Sequence, residues 1–213
     1  MSPQHEGPRT LVTSDTAEYS PEERRQLLNL AHRSIESALA DEAVDTTPPS
    51  EHLAEPRGAF TTLHSQGELR GCIGYVLPMG PLYQVVAETA RAAAFDDPRF
   101  EPVTEDEVPH LTIEISVLSP MRPIRPEDVV VGKHGLLVTM GARRGLLLPQ
   151  VPGEWGWDRE TFLAQTCLKA GLSPDAWQRG AELYGFTAEV FGEEESPGVG
   201  ARVNSERQTS ESD

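Results

Sequence analysis

Apolar residues recur along this chain with two periods, near 3.6 in some stretches and 2 in others, and the changes of period divide it into helices and strands. Ser20-Pro21-Glu22-Glu23 has the chemistry of a helix start: a hydroxyl to cap orphan N–H groups, proline at the first helical position, and a glutamate to close a capping box. Leu27, Leu28, Ala31, Ile35, Ala38 and Leu39 follow as one apolar stripe. The spacing predicts a helix that fades near Val44, before the prolines of 45–50. Residues 59–64 and 69–76 flank Ser65-Gln-Gly-Glu68 and read as a hairpin. Leu82, Val85, Val86, Ala90, Ala93 and Ala94 form a second helical face, which stops at Phe95-Asp-Asp-Pro-Arg-Phe100. There Asp96 and Asp97 turn the chain, or offer a pair of carboxylates to a cation.

The cleanest alternation lies in 111–118, with Leu111, Ile113, Ile115 and Val117 on one side and Thr112, Glu114 and Ser116 on the other. Further strands are predicted at 129–131, 136–140 and 145–148. Asp158 caps a helix carrying Phe162, Leu163, Cys167 and Ala170, and Gly171 ends it. A short turn around Trp177 and a last strand over 182–191 complete the series. Helices stand among groups of adjacent strands rather than alternating with them. That pattern implies an α+β fold with a mostly antiparallel sheet and flanking helices. Residues 1–19 are polar and aperiodic and read as a flexible lead-in, residues 20–191 as the domain, and residues 192–213 as a disordered acidic tail.

Composition narrows the class of function. Of 213 residues, 34 are acidic and 18 basic, for a net charge of −16, so no dense basic run exists to neutralise phosphate backbones. Nucleic acid is therefore not an expected partner. No apolar run approaches the ~20 residues needed to cross a bilayer, and the N-terminus lacks a signal-peptide pattern. The chain reads as cytoplasmic. Two distant cysteines, Cys72 and Cys167, make no disulfide framework, and the six histidines fall into no metal-ligand spacing. No phosphate loop, dinucleotide fingerprint or Gly-x-Ser-x-Gly elbow is present. No metal and no cofactor is implied.

Candidate chemistry gathers in Leu69-Arg-Gly-Cys-Ile-Gly74. Simple alternation puts Arg70, Cys72 and Gly74 on one face, where a guanidinium would favour thiolate and lower the cysteine pKa from about 8.5. Gly71 and Gly74 would let a ligand or another backbone come close to Cys72. The bland alternative is that Cys72 is a packing residue. Glu114 is a carboxylate in the middle of a regular strand: a general base or a group that orients a substrate, or else a structural residue that sits on a solvated face or pairs with Arg70 across the sheet. His134, at the head of a strand, is an acid–base candidate or an exposed turn residue. Cys167 lies on an apolar helix face and reads as structural. Trp155, Trp157 and Trp177 either close over a cleft or pack on the adjoining helix.

Six segments in order resemble one known family, the AMMECR domain, also called AmmeMemoRadiSam system protein A. They are Gly67-Glu-Leu-Arg-Gly-Cys-Ile-Gly74, Ala93-Ala-Phe-Asp-Asp-Pro-Arg-Phe100, Ile113-Glu-Ile-Ser-Val-Leu-Ser-Pro120, Gly132-Lys-His-Gly-Leu136, Gly145-Leu-Leu-Leu-Pro-Gln-Val151 and Cys167-Leu-Lys-Ala-Gly-Leu172. The resemblance implies two unequal lobes with a cleft between them, the Arg-Gly-Cys-Ile-Gly segment near it, and association with a Memo-like protein and a radical S-adenosylmethionine protein. It carries no settled reaction. Nothing completes a nucleophile–base–orienter set. Two functions stand side by side. One is a site around Cys72 that binds a small-molecule ligand or partner and does chemistry on it, with Arg70, Gly71 and Gly74 as binding groups and Cys72, Glu114 and His134 as catalytic candidates. The other is a non-catalytic adaptor in which Cys72 is structural.

Overall fold

The structure, a computed structural model, describes residues 17–193. It is an α+β fold of two four-stranded antiparallel sheets with helices on their flanks. Helix α1 (Pro21–Leu39) begins with the full capping box between Ser20 and Glu23. It stops at Leu39, five residues before the predicted fade, because Ala40 caps it and Asp41 turns into the left-handed region at φ 55°. Strands β1 (Ala59–Ser65) and β2 (Glu68–Tyr75) meet at Gln66 and Gly67, whose φ angles of 54° and 82° make the tight turn that matches strand twist. Helix α2 (Leu82–Phe95) and strand β3 (Leu111–Leu118) follow as the periodicity predicts.

The first sheet has the order β2-β1-β3-β8, with β8 at Ala188–Gly192. One of its faces carries Ala59, Leu63, Ile113, Ile115, Val117 and Phe191 into a core shared with Leu27, Leu30 and Ile35 of α1 and Leu82, Val86 and Ala90 of α2. The residues facing the other way, among them Phe60, Thr62, Cys72, Glu114 and Ser116, are only half-buried.

The second sheet has the order β4-β7-β5-β6: β4 (Arg122–Pro123), β5 (Gly135–Met140), β6 (Arg143–Leu147) and β7 (Glu182–Phe186). After a single turn of helix, α3 (Val151–Glu154), helix α4 (Arg159–Lys169) is capped by the Asp158 carboxylate and covers this sheet. Phe162, Leu163 and Cys167 then join Leu136 and Val138 in a second core. Gly145 is required there, since a Cβ would come 2.3 Å from the Ala170 nitrogen of the α4 cap. Cys167 is fully buried, and burial pushes its thiol pKa up. It is structural.

Three predicted elements differ. The strand expected over 182–191 is two strands in different sheets, β7 and β8. The chain leaves one and enters the other at Thr187, whose N–H donates to Ser119 Oγ (2.9 Å) while its carbonyl accepts from Ser119 N–H. Residues 129–131 are not a strand. Pro126 opens a 3₁₀ turn there, and the Val130 N–H is taken by the His134 ring. Of the flexible lead-in expected over 1–19, only residues 17–19 are described, and 1–16 lie outside the described residues. Tyr19 is buried, stacks on His52 at 4.7 Å, and is held with Glu18 by backbone N–H bonds to the Glu189 carboxylate. At the other end Gly192 completes β8, and Glu193 binds the Ile113 N–H and His32. The rest of the expected acidic tail, 194–213, lies outside the described residues.

Candidate functional site

A β-bulge decides what Cys72 faces. Ser65 pairs with Glu68 and His64 with Leu69, but Leu63 pairs with Gly71, so Arg70 is the extra residue. Without that shift Leu63 would oppose Arg70 and carry a guanidinium into the core face. With it, Gly71 turns inward beside Leu63, and Cys72 comes opposite Thr62. Thr62 in turn lies opposite Glu114, which lies opposite Gly192. Cys72, Thr62 and Glu114 therefore form one row across three strands, on the face that the helices leave open. Simple alternation misplaced two residues: Leu69 lies in the same face as His64 and is exposed, and Arg70 has left the alternation altogether.

The row is partly connected. Thr62 Oγ1 donates to Cys72 Sγ at 3.3 Å, and the thiol is half-buried. The Glu114 carboxylate has no hydrogen bond or ion pair among the described residues, so of the alternatives for Glu114 the pairing with Arg70 is not the one formed. Arg70 turns instead to Glu107, donating from Nε (2.7 Å) and Nη2 (3.1 Å), with its guanidinium 6.0 Å from the Phe100 ring centroid. That hydrogen-bonded guanidinium, aided by the Thr104 N–H, holds the Glu107 carboxyl down to about 2. Glu107 raises the Arg70 pKa in return. The charge expected to activate Cys72 is thus neutralised by a carboxylate.

The backbone of Cys72 is held as firmly as its side chain is open. β2 is an edge strand, and its outward N–H at Cys72 donates to Asp97 Oδ2 (2.9 Å). The Cys72 carbonyl accepts from Arg99 Nη2 (3.4 Å). Asp97 also accepts from the Arg99 backbone and guanidinium, and these bonds, the Arg99 side chain first, hold its carboxyl well below the usual range. So Asp97 seals a strand edge. Asp96 is merely the C-cap of α2, and no cluster of acids, histidines or cysteines fit to hold a metal occurs among the described residues. Both motif glycines answer packing needs: a Cβ on Gly71 would come 2.1 Å from the Ala93 carbonyl of α2, and one on Gly74 would enter the Phe60 ring.

His134 belongs elsewhere. Its Nδ1 accepts from the Val130 N–H at 3.0 Å, and burial with Lys133 nearby lowers its pKa. It lines a hollow with residues of β4 and β7 of the second sheet and of the segments that join the two sheets, and Cys72 does not line that hollow. Trp157 and Trp177 pack on the second core, while Trp155 is exposed and stacked on Trp157 at 6.1 Å. Sequence reasoning missed Thr62 and Glu107. Thr62 was legible in part, since alternation puts it with Phe60 and His64. Glu107 carried no local signal, because its partner lies 37 residues away.

Two antiparallel sheets, a thiol on the open face of the first, and a strand edge sealed by an Asp–Arg pair define an α+β protein of a recognisable kind. The chain belongs to the AMMECR1 family, whose model matches residues 28–191. It is similar to a protein of Thermococcus gammatolerans, 48% identical over 184 residues that cover 79% of this chain and 89% of that one. It is also similar to protein MK0488 of Methanopyrus kandleri, 44% identical over 189 residues, covering 83% and 91%. Among solved structures it resembles that of uncharacterized protein PH0010 from Pyrococcus horikoshii, with TM-score 0.65, 44% identity, and coverage of 79% and 90%.

Proposed function

We propose that this chain is the ligand- or partner-binding component of a cytoplasmic modification pathway that it shares with Memo-like and radical S-adenosylmethionine proteins, and that its binding face is the open side of the first sheet around Cys72. The pathway part of the reading rests on family membership. The binding part rests on one observation, the row Cys72–Thr62–Glu114, in which a half-buried carboxylate without a partner among the described residues stands two strands from a half-buried thiol. Strands are ~4.8 Å apart, so the two groups are separated by ~10 Å, room for a ligand laid over Thr62. Binding is favoured over nucleophilic attack because Arg70 is spent on Glu107 and no base meets the sulfur among the described residues. His134, the remaining acid–base candidate, lines a different hollow.

The catalytic reading keeps one observation of its own, the Thr62 hydroxyl that donates to Sγ at 3.3 Å. Alkylation of the native protein by iodoacetamide at several pH values, with Cys167→Ser as background, separates the two. The binding reading expects slow labelling without enhancement below pH 8, and capture of purified Memo-like or radical S-adenosylmethionine protein that survives Cys72→Ala but falls in Glu114→Gln. Fast labelling below pH 8 that is lost in Thr62→Val would transfer the site to the catalytic reading. Capture by neither variant nor the wild type would remove the pathway part.

A further inference from the structure

Where the chain passes between the sheets, at Ser119–Pro120 and again at Thr187, a hollow of about 390 Å³ opens, within the size range of small-molecule sites. Its apolar walls are Pro120, Pro123, Ile124 and Phe186. Phe186 is 2% exposed and lies against Gly135, where a Cβ would come 2.2 Å from the ring, so this wall is rigid.

The side chains that can donate into this hollow include His134, Ser119 and Arg122. The Val130 N–H occupies His134 Nδ1, so the neutral ring carries its proton on Nε2 and must donate from there. Ser119 Oγ already accepts from Thr187 N–H, which leaves its own O–H to give. Arg122 is exposed and has no ion pair or hydrogen bond from its guanidinium among the described residues. The carboxylate on the rim, Glu18, is already engaged by Arg57 Nη2 at 2.5 Å, and that same nitrogen meets Glu55 at 2.8 Å. Arg57 thus spends Nη2 on these two carboxylates and Nε on the Tyr19 hydroxyl. Besides that cluster the hollow offers a guanidinium, an imidazole N–H and a hydroxyl, set among apolar walls in a chain of net charge −16.

We infer that this hollow, separate from the Cys72 face, binds a small organic anion, a carboxylate or phosphate group carried on an apolar body, with the anionic oxygens on Arg122 and His134 Nε2–H and the body against Phe186 and Ile124. Bidentate charge-assisted bonding from a guanidinium supplies the recognition, and the apolar walls take the body of the ligand.

The test uses the full chain, titrated calorimetrically with benzoate, with phenyl phosphate, and with benzyl alcohol as a neutral body of the same shape. The His134 ring resonances are followed by NMR in parallel. Benzoate or phenyl phosphate should bind saturably and shift the His134 ring, benzyl alcohol at least about tenfold more weakly, and the better anion identifies the head group. Arg122→Gln should weaken the anion by at least about tenfold, the worth of one charged bidentate contact, whereas the exposed Arg144→Gln should change it less than about twofold. Arg122 is exposed, so its replacement does not endanger folding. Equal binding of benzoate and benzyl alcohol, equal effects of the two arginine variants, or no saturation by about 20 mM of either anion would overturn the inference.

Discussion

Arg70 donates two charge-assisted hydrogen bonds to Glu107, and their partnership converts the most suggestive residue of the Cys72 segment into a structural one. Because Glu107 titrates at about 2 in the folded protein against an ordinary 4.5, its carboxylate adds stability that is complete above 4.5 and is lost as pH falls toward 2. Glu107 is partly exposed, so solvent screening reduces the contribution to about 1–2 kcal/mol. Glu107→Gln should lower stability at neutral pH by that amount and flatten the acid limb between pH 4.5 and 2, as read by urea unfolding across that range. An unchanged acid limb would mean that other carboxylates carry it. Cys72 was legible as the centre of the segment, since it sits between two glycines in a strand. That its neighbour would be Thr62 rather than Arg70 was not, because period-two reasoning has no term for an inserted residue.

Strand β2 gains its place from contacts on three sides: β1 along one edge, α2 against Gly71, and the Asp97–Arg99 pair along the other edge. The contact at Gly71 is backbone against backbone, and neither partner has a flexible end to move. Gly71→Ala should therefore destabilise by about 2–4 kcal/mol, with a lowered thermal midpoint, more than overpacking a side-chain core usually costs. Asp97→Asn keeps the shape but removes the charge that Arg99 and the Cys72 N–H share. The amide of Cys72 should then exchange with solvent at least about tenfold faster in hydrogen-exchange measurements, since a charged acceptor is worth about 1.5–3 kcal/mol. If protection at Cys72 is unchanged, the edge is sealed by something other than Asp97. Helices α1, α2 and α4 were readable from caps and apolar stripes because these are local. The division of 182–191 was not, because no proline breaks the run and the corner at Thr187 is set by bonds to Ser119, 68 residues away.

Across the molecule, α1 is tied to the first sheet through Glu193, which accepts from the Ile113 N–H at 3.0 Å and meets His32 Nε2 at 2.5 Å. Glu193 raises the His32 pKa, so this contribution is complete below 6.5 and fades as pH rises through the raised value. The Glu193 pKa is lowered: burial opposes the charge, but the bonds from His32 and Ile113 outweigh it, so that contribution fades as pH falls below about 4.5. The tie should be strongest between 4.5 and 6.5. Protection of the Ile113 amide should peak in that window in the wild type and show no such peak in Glu193→Gln, as hydrogen exchange at several pH values would report. Glu193 bears this role although the composition of its surroundings places it in a tail.

What the sequence determined by itself was local: the helix starts at Ser20 and Asp158, the Gln66-Gly67 turn, the buried alternation of β3, the α+β class, and the family through six segments in order. These depend on neighbours within a few residues, whose spacing is visible in the chain. Tertiary structure alone decided that a bulge sets Cys72 beside Thr62, that Glu107 takes Arg70, and that His134 faces a hollow beside the second sheet rather than the thiol. Each is a choice of partner between residues far apart in sequence, made by register and packing, and nothing in the alternation of apolar and polar positions records which of several suitable partners comes within reach.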